Sequence, residues 1–419
     1  MRDQYSEIKR CRICGNADLI PILDLGIQAL TGVFPKDTRE SITSGPLQLV
    51  KCHENHQGET CGLVQLRHSY NLNEMYGMNY GYRSGLNRSM IEHLNSLVAH
   101  ALSIVQVSEA DLILDIGSND GTLLNCYPQS GALMVGMDPT AKKFRKYYPD
   151  HVCVIDDFFS SASFLNEFGS RKAKIVTSIA MFYDLESPSQ FVAEICDILA
   201  DDGIWIFEQS YMPAILLMNA YDTVCHEHLE YYGIRQIRWL MDRVKLKIVD
   251  AALNDANGGS FCVTVAKESA PYRECLDTVK DLMNEELNRG LNTLKPYEEF
   301  RERVLRHRDL LNEFVNKCQL DGKRLIGYGA STKGNVILQF CGLGPADISC
   351  IAEVNEDKFG RFTPGSLIPI VSEKEAKEMS PEYFLVLPWH FKNNIVDRER
   401  EFLEAGGHLV FPLPTIHVV

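Results

Sequence analysis

The densest chemistry in this 419-residue chain lies in Tyr221-Asp222-Thr223-Val224-Cys225-His226-Glu227-His228-Leu229-Glu230-Tyr231-Tyr232. Two imidazoles flank a carboxylate and aromatics bracket all three. The run follows Gly203-Ile204-Trp205-Ile206-Phe207-Glu208, which reads as a buried strand. Titratable groups so dense on the carboxyl side of a strand suit an acid/base loop in an α/β protein. An imidazole is the side chain suited to take a proton near neutral pH, and a carboxylate beside it orients it or raises its basicity.

Sulfur forms the second constellation. Cys11-Arg12-Ile13-Cys14-Gly15 is a C-x2-C knuckle followed by glycine, and Cys52 and Cys61 supply a second pair, the latter in Thr60-Cys61-Gly62-Leu63-Val64-Gln65-Leu66. Four thiolates suit tetrahedral zinc, which would staple a segment too short to fold well unaided. His53 and His56 lie between the members of the second pair, so a site in which one of them replaces a cysteine stays open. Four protein ligands leave no open position on the metal, so its role is structural.

The elements that position these groups follow from periodicity and turns. Asp111-Leu112-Ile113-Leu114-Asp115-Ile116-Gly117-Ser118-Asn119 reads as a strand running into a glycine-bearing turn that opens a helix, where backbone can approach a ligand closely. Asp115 decorates the strand, and no G-x-G-x-x-G is present to hold a pyrophosphate, which disfavours a dinucleotide dehydrogenase. A second strand ends in Asp138-Pro139, an acid placed to take the two ribose hydroxyls of an adenosine. A third runs into Asp156-Asp157-Phe158-Phe159, offering a carboxylate to an adenine amino group and a ring to its face. A fourth, over residues 174–182, adds Ala180 and Met181 to the same edge. Repeated βα units imply a doubly wound parallel sheet with its ligand at the carboxyl edge, closed by a hairpin over residues 246–267.

Before that sheet, residues 70–87 are rich in tyrosine and glycine, Tyr80 and Tyr82 among them, and read as a loop whose aromatics face something. After it, a charged, helix-prone stretch breaks near Gly290 and Pro296. Then Arg324-Leu325-Ile326-Gly327-Tyr328-Gly329-Ala330-Ser331-Thr332-Lys333-Gly334-Asn335 repeats strand, glycine turn and helix. Gly329 with that helix start and Lys333 suits an anion such as a phosphate. Further strands follow, the last running into Trp389, whose indole suits a base or sugar. The expected domains are a zinc-binding piece over 1–69, a cofactor-binding sheet over 70–269 and a second α/β domain over 270–419, with the aromatic loop facing the cleft between them.

Apolar content of 45% and charged content of 23% are those of a globular protein, and a formal charge of −14 without a basic stripe argues against a nucleic-acid partner. No run approaches 18 apolar residues and the first residues lack the apolar core of a signal peptide, so a cytoplasmic protein with no membrane partner is expected. Thirteen cysteines, an odd number lying in element interiors, point to reduced thiols. A chain that builds its own interdomain cleft is expected to be a monomer.

Asp115, Gly117 and Asn119 match the first motif of the class I S-adenosylmethionine-dependent methyltransferases, and Asp138 their ribose-binding acid. Over nearly its whole length, and in motif order, the chain resembles the nucleotide-sugar C-methyltransferases. The shared features are the zinc knuckle ending in Cys-Gly-Leu-Val-Gln-Leu, the Tyr-Gly-Tyr-Arg-Ser-Gly loop, the methyltransferase motif, His-Glu-His and Gly-Tyr-Gly-Ala-x-x-Lys-Gly. The resemblance implies methylation of C3 of a nucleoside-diphosphate 4-keto-6-deoxy sugar. It further implies His228 as general base with Glu227 beside it, and Tyr80 or Tyr82 near the reacting methyl; the chemistry assigns Glu227 as orienter or sugar hydroxyl ligand and His226 or a loop tyrosine as oxyanion donor.

The chemistry explains that set, because carbon methylation needs a carbanion, which a neighbouring ketone makes accessible as an enolate. The chain departs from the family at Cys225, where tyrosine is usual, and in the eight residues between Cys52 and Cys61. Two other readings are an O-methyltransferase, separated by the methyl signal of its product, and an inactive zinc-bearing binding module, separated by its failure to bind the methyl donor.

Overall fold

The computed structural model describes residues 5–53, 59–76, 80–128 and 131–419. Its centre is a seven-stranded sheet in the order Leu246–Asn254, Ser260–Lys267, Leu199–Ser210, Ala173–Ile179, Leu112–Ile116, Leu133–Met137, Cys153–Ile155. Ser260–Lys267 runs antiparallel to both neighbours and the other strand pairs are parallel. All five residues of Leu112–Ile116 are buried, which is why its sequence is a continuous apolar run interrupted only by Asp115. This strand lies where the crossover direction reverses, so a crevice opens at its carboxyl end. Helix Arg88–Ile104 covers one face with Leu94, Leu97, Val98 and Ala101, the stripe its spacing predicts, and the Asn87 side chain caps its first turn.

The N-terminal sheet is antiparallel, in the order Glu230–Tyr231, Val64–Leu66, Ser44–Cys52, Leu19–Ala29. Its edge strand is borrowed from the histidine-rich segment, so the loop that carries the imidazoles is hydrogen-bonded into the zinc-knuckle domain. The C-terminal sheet is parallel through Ile370–Ser372, Ile351–Glu353, Leu325–Tyr328, Tyr383–Val386 and His408–Phe411, with His417–Val418 antiparallel at its edge. Helices Leu276–Asn288 and Lys295–Leu320 connect it to the central sheet, separated by the left-handed Gly290 and opened by Pro296 in the first turn.

One apolar core joins Leu47, Leu49 and Leu66 of the N-terminal sheet to Tyr221, Val224 and Cys225 and on to Ile326, Val336 and Leu385 of the C-terminal domain. The histidine-rich segment is therefore wedged between two domains and is not a free loop. It is also not directly attached to its strand: helix Met212–Leu217 intervenes, and the segment itself opens with a 3-10 turn, Tyr221–Thr223.

The aromatic stretch differs from the expected irregular loop. Asn71 caps a short helix, Leu72–Met75, and a 3-10 turn spans Ser84–Leu86, while Gly77, Met78 and Asn79 lie outside the described residues. No helix among the described residues is long and apolar enough to cross a membrane.

Candidate active site

Three surfaces converge on the crevice. The first is the carboxyl edge of the central sheet. Gly117 adopts φ +73°, and a Cβ there would meet the Met181 side chain at 3.1 Å, so glycine is required for the turn to lie this close to the next loop. Asn119, also left-handed, donates its backbone N–H to Asp138 Oδ2 at 2.8 Å and accepts the Ser84 N–H on Oδ1 at 2.9 Å. Asp138 Oδ1 takes the Thr140 N–H and hydroxyl, both at 2.5 Å.

Three hydrogen bonds pin that carboxylate at the strand end with acceptor capacity remaining for a diol. Pro139 holds the turn beyond it. Asp115 is buried beneath, accepts the Thr177 hydroxyl at 2.6 Å, and is pushed up to about 7 by burial. Ala180, at φ +54°, donates to the Glu208 carbonyl at 2.7 Å. Asp157 is exposed and accepts the N–H of Phe158, while the Phe158 ring meets Tyr76 edge-on at 6.2 Å. The donor set, a recessed glycine cradle and an acid at the next strand's end, fits the adenosine and methionine parts of S-adenosylmethionine.

The second surface is the histidine-rich segment, whose three central residues point in three directions. His228 reaches the crevice: its Nδ1 donates to the Thr223 carbonyl at 2.8 Å and its ring lies 4.2 Å from that of Tyr183. A carbonyl only accepts, so Nδ1 carries the hydrogen and Nε2 presents a lone pair. Burial first, then the Lys333 ammonium, press its pKa down to about 3, below the near-neutral value expected of the base, so the ring is neutral at physiological pH.

Glu227 turns the other way and accepts the Thr31 hydroxyl at 3.2 Å in the N-terminal domain. The residue that orients His228 is thus Thr223, through its carbonyl, and not Glu227. His226 is fully buried, edge-on to Tyr70 at 4.6 Å and held down to about 3 by burial, so it is placed as interior packing and not as a crevice donor. Cys225 is fully buried with its thiol pushed well up, in the shared core.

The third surface comes from the C-terminal domain. Gly329, at φ +81°, is packed against Pro388, with no room for a Cβ. Lys333 donates to the Asn257 carbonyl at 3.0 Å, and its charge is felt at Asp222, His228 and His390. Trp389 is 95% removed from solvent and its Nε1 donates to Asp222 Oδ2 at 2.7 Å, so the indole braces the segment before His226 and does not offer a free face to a base.

Tyr80 is half-buried and Tyr82 is 46% exposed, yet burial raises both phenols, as expected of groups lining a deep cleft. Lys143 donates to the Tyr80 carbonyl at 2.5 Å and Asn355 to that of Gly81 at 3.3 Å, so this loop bridges the central and C-terminal domains.

Four residues went unnoticed in the sequence: Thr223, Tyr183, Asp184 and Lys358. Asp184 accepts the Tyr76 hydroxyl at 2.8 Å beside the crevice, and burial raises its carboxyl well above the usual range. Its position just past the fourth strand's carboxyl end was the available signal. Lys358 donates to the Ala330 carbonyl at 2.7 Å, inside the glycine turn. Thr223 acts through its backbone, which no side-chain pattern advertises.

Away from the crevice, Cys11, Cys14, Cys52 and Cys61 place all four sulfurs within 4.8 Å of one another. Cys11 and Cys61 are 3.4 Å apart and Cys14 and Cys52 3.5 Å, near the ~3.8 Å that tetrahedral Zn–S bonds of ~2.3 Å impose. Asn16 Nδ2 donates to Cys52 Sγ at 3.4 Å, a contact suited to a thiolate. The looser second pair therefore closes, and His53 stands exposed outside the cluster, while His56 lies outside the described residues.

Comparison with known proteins places these parts. Family models match for a zinc binding domain over residues 11–76, a methyltransferase domain over 86–251 and a C-methyltransferase C-terminal domain over 255–414. C-methyltransferase NovU of Streptomyces niveus is 31% identical over 423 aligned positions, covering 100% of this chain and 99% of that protein. Among solved structures, magnesium protoporphyrin IX methyltransferase of Synechocystis PCC 6803 with bound S-adenosylmethionine covers 46% of this chain and 88% of its own, at 14% identity and TM-score 0.33. N-methyltransferase NodS of Bradyrhizobium japonicum covers 43% and 99%, at 12% identity and TM-score 0.32.

Proposed function

The chain belongs to the S-adenosylmethionine-dependent C-methyltransferases that carry an N-terminal zinc-binding domain, and from that premise we propose that it methylates C3 of a nucleoside-diphosphate 4-keto-6-deoxyhexose. The observation that carries this reading is the imidazole of His228, with Nδ1 fixed on the Thr223 carbonyl, its ring against Tyr183 of the central domain and the Lys333 charge of the C-terminal domain acting on it. A fixed tautomer with one unshared lone pair is what proton abstraction beside a carbonyl demands.

S-adenosylmethionine, when bound, supplies the electrophilic methyl. The chain's own residues do the rest. Asp138, Asn119 and Gly117 hold the adenosine and methionine ends, with Asp115 supporting the turn and Ala180 and Met181 closing over it. His228 Nε2 takes the C3 proton, leaving an enolate whose oxygen carries the charge; its carbon would take the methyl as the methyl–sulfur bond breaks, with the C4 ketone re-formed and S-adenosylhomocysteine the leaving group. Burial and the Lys333 charge keep the imidazole unprotonated, and the negative charge of a nucleoside diphosphate and of the enolate raises its affinity for the proton during the step.

Lys333 is a cation whose charge reaches this base and, from its helix start, serves the diphosphate or the developing oxyanion. Tyr80 and Tyr82 line the path of the methyl. Zinc serves the fold.

The test is a turnover screen of 4-keto nucleotide sugars with S-adenosylhomocysteine release as readout and nuclear magnetic resonance of the product. A new C-methyl signal on a quaternary or tertiary ring carbon supports the reading. An O-methyl signal, or no turnover with any keto sugar while hydroxyl acceptors react, rejects it.

A further inference from the structure

Between the zinc ligands Cys11 and Cys14 stands Arg12, whose side chain is 98% removed from solvent. Its Nη1 donates to the Leu66 carbonyl at 2.6 Å and its Nη2 to Ser69 Oγ at 2.8 Å. Its backbone N–H donates to Gln65 Oε1 at 3.0 Å. Its Nε lies 3.6 Å from Glu230 Oε1 and 3.8 Å from Glu186 Oε2. Glu230 is fully buried, and among the described residues Arg12 is its only cationic partner.

These contacts do not serve the knuckle alone. Glu230 opens the strand that the histidine-rich segment lends to the N-terminal sheet, pairing with Gln65, and Leu66 donates its N–H to the Leu229 carbonyl at 2.8 Å. Gln236 Nε2 reaches back to the Cys61 carbonyl at 2.8 Å. The knuckle and the base loop are thus joined by backbone on one side, by the Gln236 side chain on the other, and in the middle by the buried Arg12 guanidinium standing 3.6 Å from the Glu230 carboxyl, which burial pushes well above the usual range. A buried guanidinium cannot shed its proton, so Arg12 is held where the Glu230 carboxyl is held, because separating them leaves the arginine charge without its buried counter-group.

We propose that Arg12 is a positioning residue that couples the zinc knuckle to catalysis: standing as the charge opposite Glu230, two residues beyond His228, it keeps the base loop seated and the imidazole enclosed. The metal then fixes Arg12 through the cysteines on either side of it, and the same pair carries that order to the crevice. The proposal rests on the reading of His228 as the base for its meaning in the reaction, but not for its test.

The groups facing His228 are the Lys333 ammonium, the Tyr183 ring and the Thr223 carbonyl, and none of them is altered by the variants used. The zinc-loaded full chain, labelled in histidine, is titrated by nuclear magnetic resonance, with His228→Gln identifying the signal. Glu230→Gln keeps the shape and removes the charge; Arg12→Lys keeps a charge without the planar fork. With zinc still at one equivalent per chain, the His228 titration is expected to move up by about one pH unit or more in Glu230→Gln, toward the ordinary histidine value as water enters, and by less in Arg12→Lys. A His228 titration in Glu230→Gln that coincides with the wild type overturns the proposal. A wild-type chain that fails to exchange deuterium into a keto sugar overturns the base assignment and leaves this coupling standing.

Discussion

The Nδ1 of His228 and the carbonyl oxygen of Thr223 lie 2.8 Å apart, five residues apart on one segment, and this contact decides what the imidazole can do. With Nδ1–H committed to a carbonyl, the only free nitrogen is Nε2, and it is an acceptor. The helix Met212–Leu217 and the turn Tyr221–Thr223 that precede it carry Thr223 to this position. Trp389 then locks the turn by donating to Asp222.

Lys333 is the cation felt at His228, Asp222 and His390. Lys333→Met is expected to weaken steady-state use of the nucleotide sugar by about 10- to 100-fold, the size of a hydrogen bond to a charged group, with the affinity for S-adenosylhomocysteine unchanged. Kinetics against the sugar together with calorimetry of S-adenosylhomocysteine check this.

Gly117→Ala strikes the other side of the crevice. A side chain there is strained at φ +73° and crowds Met181 at 3.1 Å, so calorimetry is expected to show S-adenosylhomocysteine binding weakened by about tenfold or more, with the thermal midpoint little changed.

Cys61→Ser removes a buried member of the sulfur cluster. The variant is expected to bind less than one zinc per chain by elemental analysis and to lose on the order of 10 °C in thermal midpoint, because metal binding and folding of this segment are one equilibrium.

His226 gives a pH signature. Burial lowers its folded pKa to about 3, against an unfolded value of 6.5, so the unfolded chain binds the extra proton between those limits. Its contribution is constant above pH 6.5 and costs stability progressively as pH falls toward 3. In His226→Phe the pH dependence of unfolding free energy in that window is expected to be shallower by up to about 1.4 kcal/mol per pH unit, measured by denaturant titration at a series of pH values.

Much of the scaffold was legible because strong patterns wrote it. The all-buried Leu112–Ile116 reads as an apolar run, the Gly290 and Pro296 break divides two helices as expected, and Cys11, Cys14, Cys52 and Cys61 do converge. What stayed hidden depends on contacts distant in sequence or on backbone groups. Trp389 read as a free aromatic because its partner, Asp222, lies 167 positions earlier. In Cys225-His226-Glu227-His228 the side-chain types could not say which one faces the crevice, since that is set by Tyr70, Thr31 and Tyr183 on three other elements. Asp184 carries no motif of its own, and it is the Tyr76 hydroxyl and burial that mark it out.

The most direct test of the account is hydrogen exchange at C3 of a nucleoside-diphosphate 4-keto-6-deoxyhexose in deuterium oxide, with enzyme present and no methyl donor. Wild type is expected to wash deuterium into C3, and His228→Gln to slow that exchange by at least about 100-fold while still binding S-adenosylhomocysteine. Exchange in His228→Gln as fast as in wild type would contradict the assignment of His228 as the base.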